Sequence, residues 1–170
     1  FKLTCGTTAE PRATRSSAAQ LLADCDNVCD TMGLGESDRN YGIISFAHSY
    51  GFSNLITPLL CRGISLVAAS DIIPRAIANG LKASSATVLP GVPAIFRSLA
   101  EFAAGGEELR LCISAGAPLA CEVGRRFFER WHRKIRSFYG ASECGGICYD
   151  SSESPDPPSG YVGPPLKGVD

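Results

Sequence analysis

Short apolar runs alternate along this chain with stretches whose apolar residues recur every three or four positions. Residues 43–46, 64–68, 86–89, 109–114 and 135–138 have the continuous apolar character of strands buried on both faces. Between them lie helical patterns. Ser17-Ala18-Ala19-Gln20 forms a capping box, followed by Leu21, Cys25, Val28, Cys29 and Met32 at helical spacing, with Gly33 placed to end the helix. Asp24, Asp26 and Asp30 fall off that stripe and read as a solvated face. Residues 52–61 form a second helical pattern, which Pro58 kinks or resets. Ile73, Ile77 and Leu81 share one helical face. Pro90-Gly91-Val92-Pro93 precedes another helix, with Ile95, Phe96 and Leu99 turned inward. The last helix starts at Pro118 and buries Leu119, Val123, Phe127 and Trp131, with Glu122–Arg126 and Glu129–Arg133 pairs on its polar side.

Strands alternating with helices across short loops predict an α/β fold with a mainly parallel sheet flanked by helices. Phe1-Lys2-Leu3 reads as the tail of a strand. After Glu143 the alternation breaks. Residues 151–159 (Ser-Ser-Glu-Ser-Pro-Asp-Pro-Pro-Ser) are too proline-rich and polar for regular structure and read as an exposed loop.

Composition narrows the function classes. The chain has 170 residues, 45% hydrophobic and 19% charged, enough for a sizeable core. Sixteen basic and seventeen acidic residues leave a net charge of -1, which argues against nucleic acid or a membrane surface as partner. No apolar run reaches the length of a membrane span, and the first residues do not form a signal peptide. Of the eight cysteines, Cys25, Cys29, Cys61 and Cys112 sit within apolar patterns. They read as reduced, buried thiols of an intracellular, cytoplasmic protein. Cys144 and Cys148 lack the second pair that a structural zinc site needs. No Gly-x-Ser-x-Gly elbow is present for a serine hydrolase.

Two stretches carry candidate chemistry. In Ser137-Phe138-Tyr139-Gly140-Ala141-Ser142-Glu143 a strand ends at an aromatic, two small residues, a hydroxyl and a carboxylate. Ligands of open α/β sheets sit beyond the carboxyl ends of the strands. Tyr139 offers a flat face, Gly140 and Ala141 leave the backbone bare, Ser142 can donate to a phosphate, and Glu143 can hold a hard cation. A strand ending in a turn with a capping serine uses the same residues. The other stretch, Thr4-Cys5-Gly6-Thr7-Thr8-Ala9-Glu10-Pro11-Arg12, sets hydroxyls around a glycine and closes with a cation, as a polyphosphate-wrapping loop does. It is not a Walker loop, and an ordinary Thr/Gly turn is its plain alternative.

Taken together and in order, these motifs resemble the AMP-forming acyl-CoA synthetases and related adenylate-forming ligases. Residues 4–12 resemble their Ser/Thr-rich glycine loop. Ser114-Ala115-Gly116-Ala117-Pro118-Leu119 is similar to their Gly-Ala/Glu-Pro turn, and residues 139–143 to their Tyr-Gly-x-Thr-Glu motif. Residues 160–168 resemble their Gly-x-Val-Gly-x-Pro-x-x-Gly segment. The resemblance implies that Thr4, Gly6, Thr7, Thr8 and Arg12 hold the β- and γ-phosphates of ATP. Gly116, Ala117, Pro118, Tyr139 and Gly140 would line the adenine site, Ser142 would touch the α-phosphate, and Glu143 would bind Mg2+. Thr7, Arg12, Ser142 and Glu143 would form the catalytic set. The implied reaction is attack of a fatty or aryl carboxylate on the α-phosphorus, release of pyrophosphate, and transfer of the acyl group to coenzyme A or a carrier thiol. Ala9, Arg12, Ser142 and Cys5 stand where the family usually has glycine, lysine, threonine and a hydroxyl residue. The non-enzymatic alternative is therefore a nucleotide-binding module that has lost turnover.

Ile44-Ser45-Phe46-Ala47-His48-Ser49-Tyr50-Gly51 resembles the family's His-x-x-Gly stretch. The resemblance places His48 and Gly51, with Gly140 and Ala141, at the acid. A hydrogen-bonded structural histidine is the plain alternative for His48, and His132 reads as surface. By the same resemblance residues 1–170 correspond to part of the large AMP-binding domain without its C-terminal lid domain, and this stretch is not expected to turn over alone.

Overall fold

A computed structural model describes residues 2–3, 13–69, 71–102 and 105–169. Strand β1 (Lys2–Leu3) pairs antiparallel with β2 (Ala13–Thr14), so the residues flanking segment 4–12 are held side by side. Helix α1 (Ala18–Met32) begins as its sequence dictates. The Ser17 hydroxyl accepts from the Gln20 N–H at 3.2 Å, and the Gln20 side chain accepts from the Ser17 N–H at 2.8 Å. Gly33, at φ 63°, ends it.

The main sheet contains β3 (Arg39–Gly42), β4 (Ser65–Ala68), β5 (Val88–Gly91), β6 (Leu111–Ser114), β7 (Ile135–Ala141) and β8 (Gly145–Tyr149). Their order is β4-β3-β5-β6-β7-β8; all neighbours run parallel except β8, which returns antiparallel along β7. Helices α4 (Pro74–Ser84), α5 (Pro93–Leu99) and α6 (Cys121–Trp131) pack on one core cluster, where Phe127 lies edge-on to Phe96 and stacks on Trp131. Cys25, Val28, Cys29 and Met32 of α1 pack on the other. Strand β6 serves both: Leu111 and Ile113 belong to one cluster and Cys112 to the other.

Several boundaries differ from the sequence reading. The strand expected at 43–46 lies at Arg39–Gly42, with the polar Asn40 buried inside it and donating to the Asn54 carbonyl. A buried amide, its N–H bonded but its oxygen without a partner among the described residues, took the place of the apolar residue that marks a buried strand. The helix expected at 52–61 is composite: α2 (Ser49–Gly51), a π-helical stretch (Phe52–Ile56) and α3 (Thr57–Arg62). The Thr57 N–H bonds the Phe52 carbonyl five residues back, which resets the register just before Pro58. Helix α6 starts at Cys121 rather than Pro118, and Ile73 precedes α4 and is exposed. The Glu129–Arg133 pair does not form: His132 adopts φ 51° and ends α6, so Arg133 leaves the helix and donates to the Leu109 carbonyl. Strand β7 runs through Tyr139 to Ala141, beyond the expected end at Phe138.

Candidate active site

A cleft of about 450 Å³ opens at the carboxyl ends of β6 and β7. One wall is the turn after β6: Ser114, Ala115, Gly116, Ala117 and Pro118. Gly116 has φ 84°, a conformation that costs glycine little and side-chain-bearing residues more. Tyr139, Gly140 and Ala141 at the end of β7 form a second wall, and Tyr139 is half-exposed there. Pro155 and Pro157 of the proline-rich segment, which is irregular as expected, and Tyr161 just beyond it close the cleft. Lys134 and buried Asp150, paired at 2.7 Å, hold the start of that segment.

The lining is largely apolar, with few polar groups. Tyr50 is buried, stacks on Phe138 and donates to the Ile113 carbonyl at 3.0 Å. Burial pushes its phenol well above the ordinary value, so it is a neutral wall. The Ser114 hydroxyl is also buried and has no hydrogen-bond partner among the described residues. A ligand group or water reaching it would relieve that cost.

His48 lines the cleft and caps α2, its Nδ1 accepting from the Tyr50 N–H at 3.3 Å. The same side chain thus both makes the structural hydrogen bond and faces the cleft. Gly51 does not line the cleft. It is buried, and a Cβ there would meet the Ser45 carbonyl at 2.1 Å, so glycine is needed for that close approach. His132 is exposed, as expected.

The β7–β8 turn, residues 142–144, rises beside the cleft. The Ser142 hydroxyl donates to the Ser49 hydroxyl at 2.9 Å. Thr14, at the root of the 4–12 segment, donates through its hydroxyl to the Ser142 carbonyl at 3.4 Å and to the Lys2 carbonyl at 3.2 Å. The fold thus brings three sequence-predicted motifs together: the 139–143 motif, the 114–119 turn and the His48 stretch. Thr4, Gly6, Thr7, Thr8 and Arg12 lie outside the described residues, as do Cys5 and Ala9. Their flanking strand residues Leu3 and Ala13 pair with each other.

Glu143 is exposed within the turn. No three His, Cys, Asp or Glu side chains gather as a metal cage among the described residues. A cation here would take one carboxylate and complete its shell with ligand oxygens and water, which suits magnesium on a nucleotide. The zinc alternative at Cys144 and Cys148 has no further ligands among the described residues. All seven described cysteines are free thiols, and no helix of the described residues is long and apolar enough to cross a membrane.

Sequence reasoning missed Asp24. Expected on a solvated face, it is half-buried and accepts from the Ser53 hydroxyl at 2.7 Å and the Gly146 N–H at 2.8 Å. Its spacing was the available signal: three residues after Leu21 and four before Val28, it borders the apolar stripe. Asp26 and Asp30 do face solvent, where both pair with Arg62 at 2.8 Å.

Known proteins are similar to this chain in sequence and in fold. A benzoate–CoA ligase of Thauera aromatica is 28% identical over 169 residues, covering 96% of this chain and 32% of that protein. An anthranilate–CoA ligase of Pseudomonas aeruginosa is 31% identical over 150 residues, covering 86% of this chain and 27% of that protein. The crystal structure of ATP-bound MatB from Rhodopseudomonas palustris superposes with a TM-score of 0.84 at 24% identity, over 97% of this chain and 33% of that one. The chain therefore spans about a third of the length of such proteins. Residues 2–170 match the family described as AMP-binding enzyme, and the chain belongs to that family.

Proposed function

We propose that this chain forms part of the nucleotide- and acid-binding core of an AMP-forming acid–thiol ligase. It would activate a fatty or aryl carboxylic acid with ATP and pass the acyl group to coenzyme A or a carrier thiol. The observation that carries this reading is the turn 142–144, tied by Thr14 to the root of the 4–12 segment and by Ser142 to Ser49 beside the cleft.

The adenine would lie against Gly116, Ala117, Pro118 and Tyr139, with Gly140 letting the nucleotide approach the backbone. Thr4, Gly6, Thr7, Thr8 and Arg12 would hold the β- and γ-phosphates. His48, Gly140 and Ala141 would border the acid, in a cleft whose mainly apolar walls suit its hydrocarbon part. A carboxylate oxygen attacks the α-phosphorus, the bond to the bridging oxygen breaks, and pyrophosphate leaves. The thiol sulfur then attacks the acyl carbon, and AMP departs with the carboxylate oxygen. The first step brings an anion onto a polyanion, so donors fixed in advance lower its barrier most. The Ser142 hydroxyl, which here donates to Ser49, would turn to the α-phosphate as such a donor. Glu143 would hold Mg2+, which offsets phosphate charge when bound. Reduced thiols and a need for ATP and coenzyme A fit a cytoplasmic protein.

The test is acid-dependent ATP–pyrophosphate exchange by the full-length protein carrying this sequence, with a panel of short, long and aromatic acids. Exchange with at least one fatty or aryl acid is expected. Tight ATP binding without exchange on any acid would replace this reading with a nucleotide-binding module.

A further inference from the structure

We propose that Asp24 is a positioning residue: its carboxylate fixes the far end of the turn that carries Ser142 and Glu143. This deepens the ligase reading and rests on it. Asp24 lies on α1, away from the cleft's wall, yet joins four segments. Its Oδ2 accepts from Ser53, a buried residue of the π-helical stretch, and its Oδ1 accepts from the N–H of Gly146 in β8. The ammonium of Lys2, in β1, reaches the same Ser53 hydroxyl at 3.5 Å.

The return strand is shaped around this carboxylate. Gly145 has φ 84°, and a Cβ there would stand 2.3 Å from Asp24 Oδ1. Glycine at 145 is thus required both by its backbone and by the carboxylate beside it. A carboxylate accepting a backbone N–H makes a charge-assisted bond, stronger than a neutral one.

The turn is pinned at both ends. At its start, the Ser142 carbonyl accepts from Thr14 and the Ser142 hydroxyl donates to Ser49. At its finish, Asp24 holds Gly146. Without Asp24 the first pins remain and the far end is free to shift, carrying Glu143 with it. Shifts on the order of 1 Å at a reacting centre cost about a hundredfold in rate. The effect should fall on the nucleotide side, because the pinned segments are the Glu143 turn and the strands flanking residues 4–12.

The experiment compares Asp24→Ala, Asp24→Asn and Asp26→Ala with wild type in the full-length protein, by ATP–pyrophosphate exchange and by amide hydrogen exchange over residues 142–149. Asp24→Ala should lower kcat/KM for ATP by about tenfold or more, with KM for the acid within about twofold. Asp24→Asn should recover most of the loss, since an amide can accept from Gly146 and donate to Ser53. Asp26→Ala, which removes an ion pair with Arg62 on the surface, should match wild type. Amides 145–149 should exchange faster in Asp24→Ala alone. The proposal is overturned if Asp24→Ala matches Asp26→Ala in either measurement, or if Asp24→Asn is as impaired as Asp24→Ala. Wild type inactive with every acid would defeat the ligase reading instead. Amide exchange alone would then decide the pinning: unchanged rates in Asp24→Ala overturn it, and faster ones support it.

Discussion

The Ser142 hydroxyl donates to the Ser49 hydroxyl across 2.9 Å, joining residues 93 positions apart. This bond sets the β7–β8 turn against the helix start that carries His48. Ser142→Ala should lower acid-dependent pyrophosphate exchange about tenfold or more, because it removes the hydroxyl proposed to turn from Ser49 to the α-phosphate. Ser142→Thr keeps the hydroxyl and should stay near wild type. Ser49→Ala should cost less than Ser142→Ala. The reverse ranking, from steady-state kinetics of the three variants, would make the bond itself the important feature.

Glu143→Gln preserves shape and removes charge. It should lower adenylation by on the order of a hundredfold or more and raise the magnesium concentration needed for half-maximal rate. A magnesium titration of pyrophosphate release measures both. Near-normal release at saturating magnesium would remove Glu143 from the site.

His48 both lines the cleft and caps α2, and substitutions can separate the two roles. His48→Ala should raise KM for the acid and lower stability by about 1 kcal/mol through loss of the cap. His48→Asn keeps a capping acceptor, so it should restore stability but not KM. KM for ATP should change in neither. A change confined to ATP would move His48 to the nucleotide side.

Much of this architecture could be read from the chain, for identifiable reasons. Helix α1 carried its capping box, its apolar stripe and its terminal glycine in sequence, and each acts locally. Strand β6 was legible because both its faces are buried, which makes it apolar throughout. Strand β3 was not, because the polar Asn40 is buried within it, its amide N–H donating to the Asn54 carbonyl 14 residues on. Nor was the π-helical stretch, whose shift of one hydrogen-bond register leaves no compositional mark. The three motifs of the site were legible as short strings. Asp24 was not, because its partners Ser53 and Gly146 come from elsewhere in the chain.

At the base of the sheet, Asp38 is almost fully buried and takes hydrogen bonds from Arg110, the Gly35 N–H and Thr87. Burial alone would raise its carboxyl, but these donors outweigh it and hold the pKa below the ordinary value of 3.8. A lowered carboxylate pKa gives stability that is fully present above the unfolded value and lost as pH falls through the folded one. Asp38→Asn should cost about 2 kcal/mol at neutral pH, reduced from the fully buried case because Arg110 is half-exposed. Wild-type stability in urea should decline below about pH 4, and the variant should decline less.

The central claim is that a carboxylate oxygen of the acid becomes bonded to the α-phosphorus of ATP. Its most direct test gives the full-length protein an acid labelled with oxygen-18 in the carboxylate, together with ATP, magnesium and coenzyme A, and weighs the products by mass spectrometry. The label should appear in AMP, one atom per turnover, with none in inorganic phosphate and the pyrophosphate unlabelled. Label in inorganic phosphate with ADP as the nucleotide product, or unlabelled AMP formed alongside acyl thioester, would contradict the account.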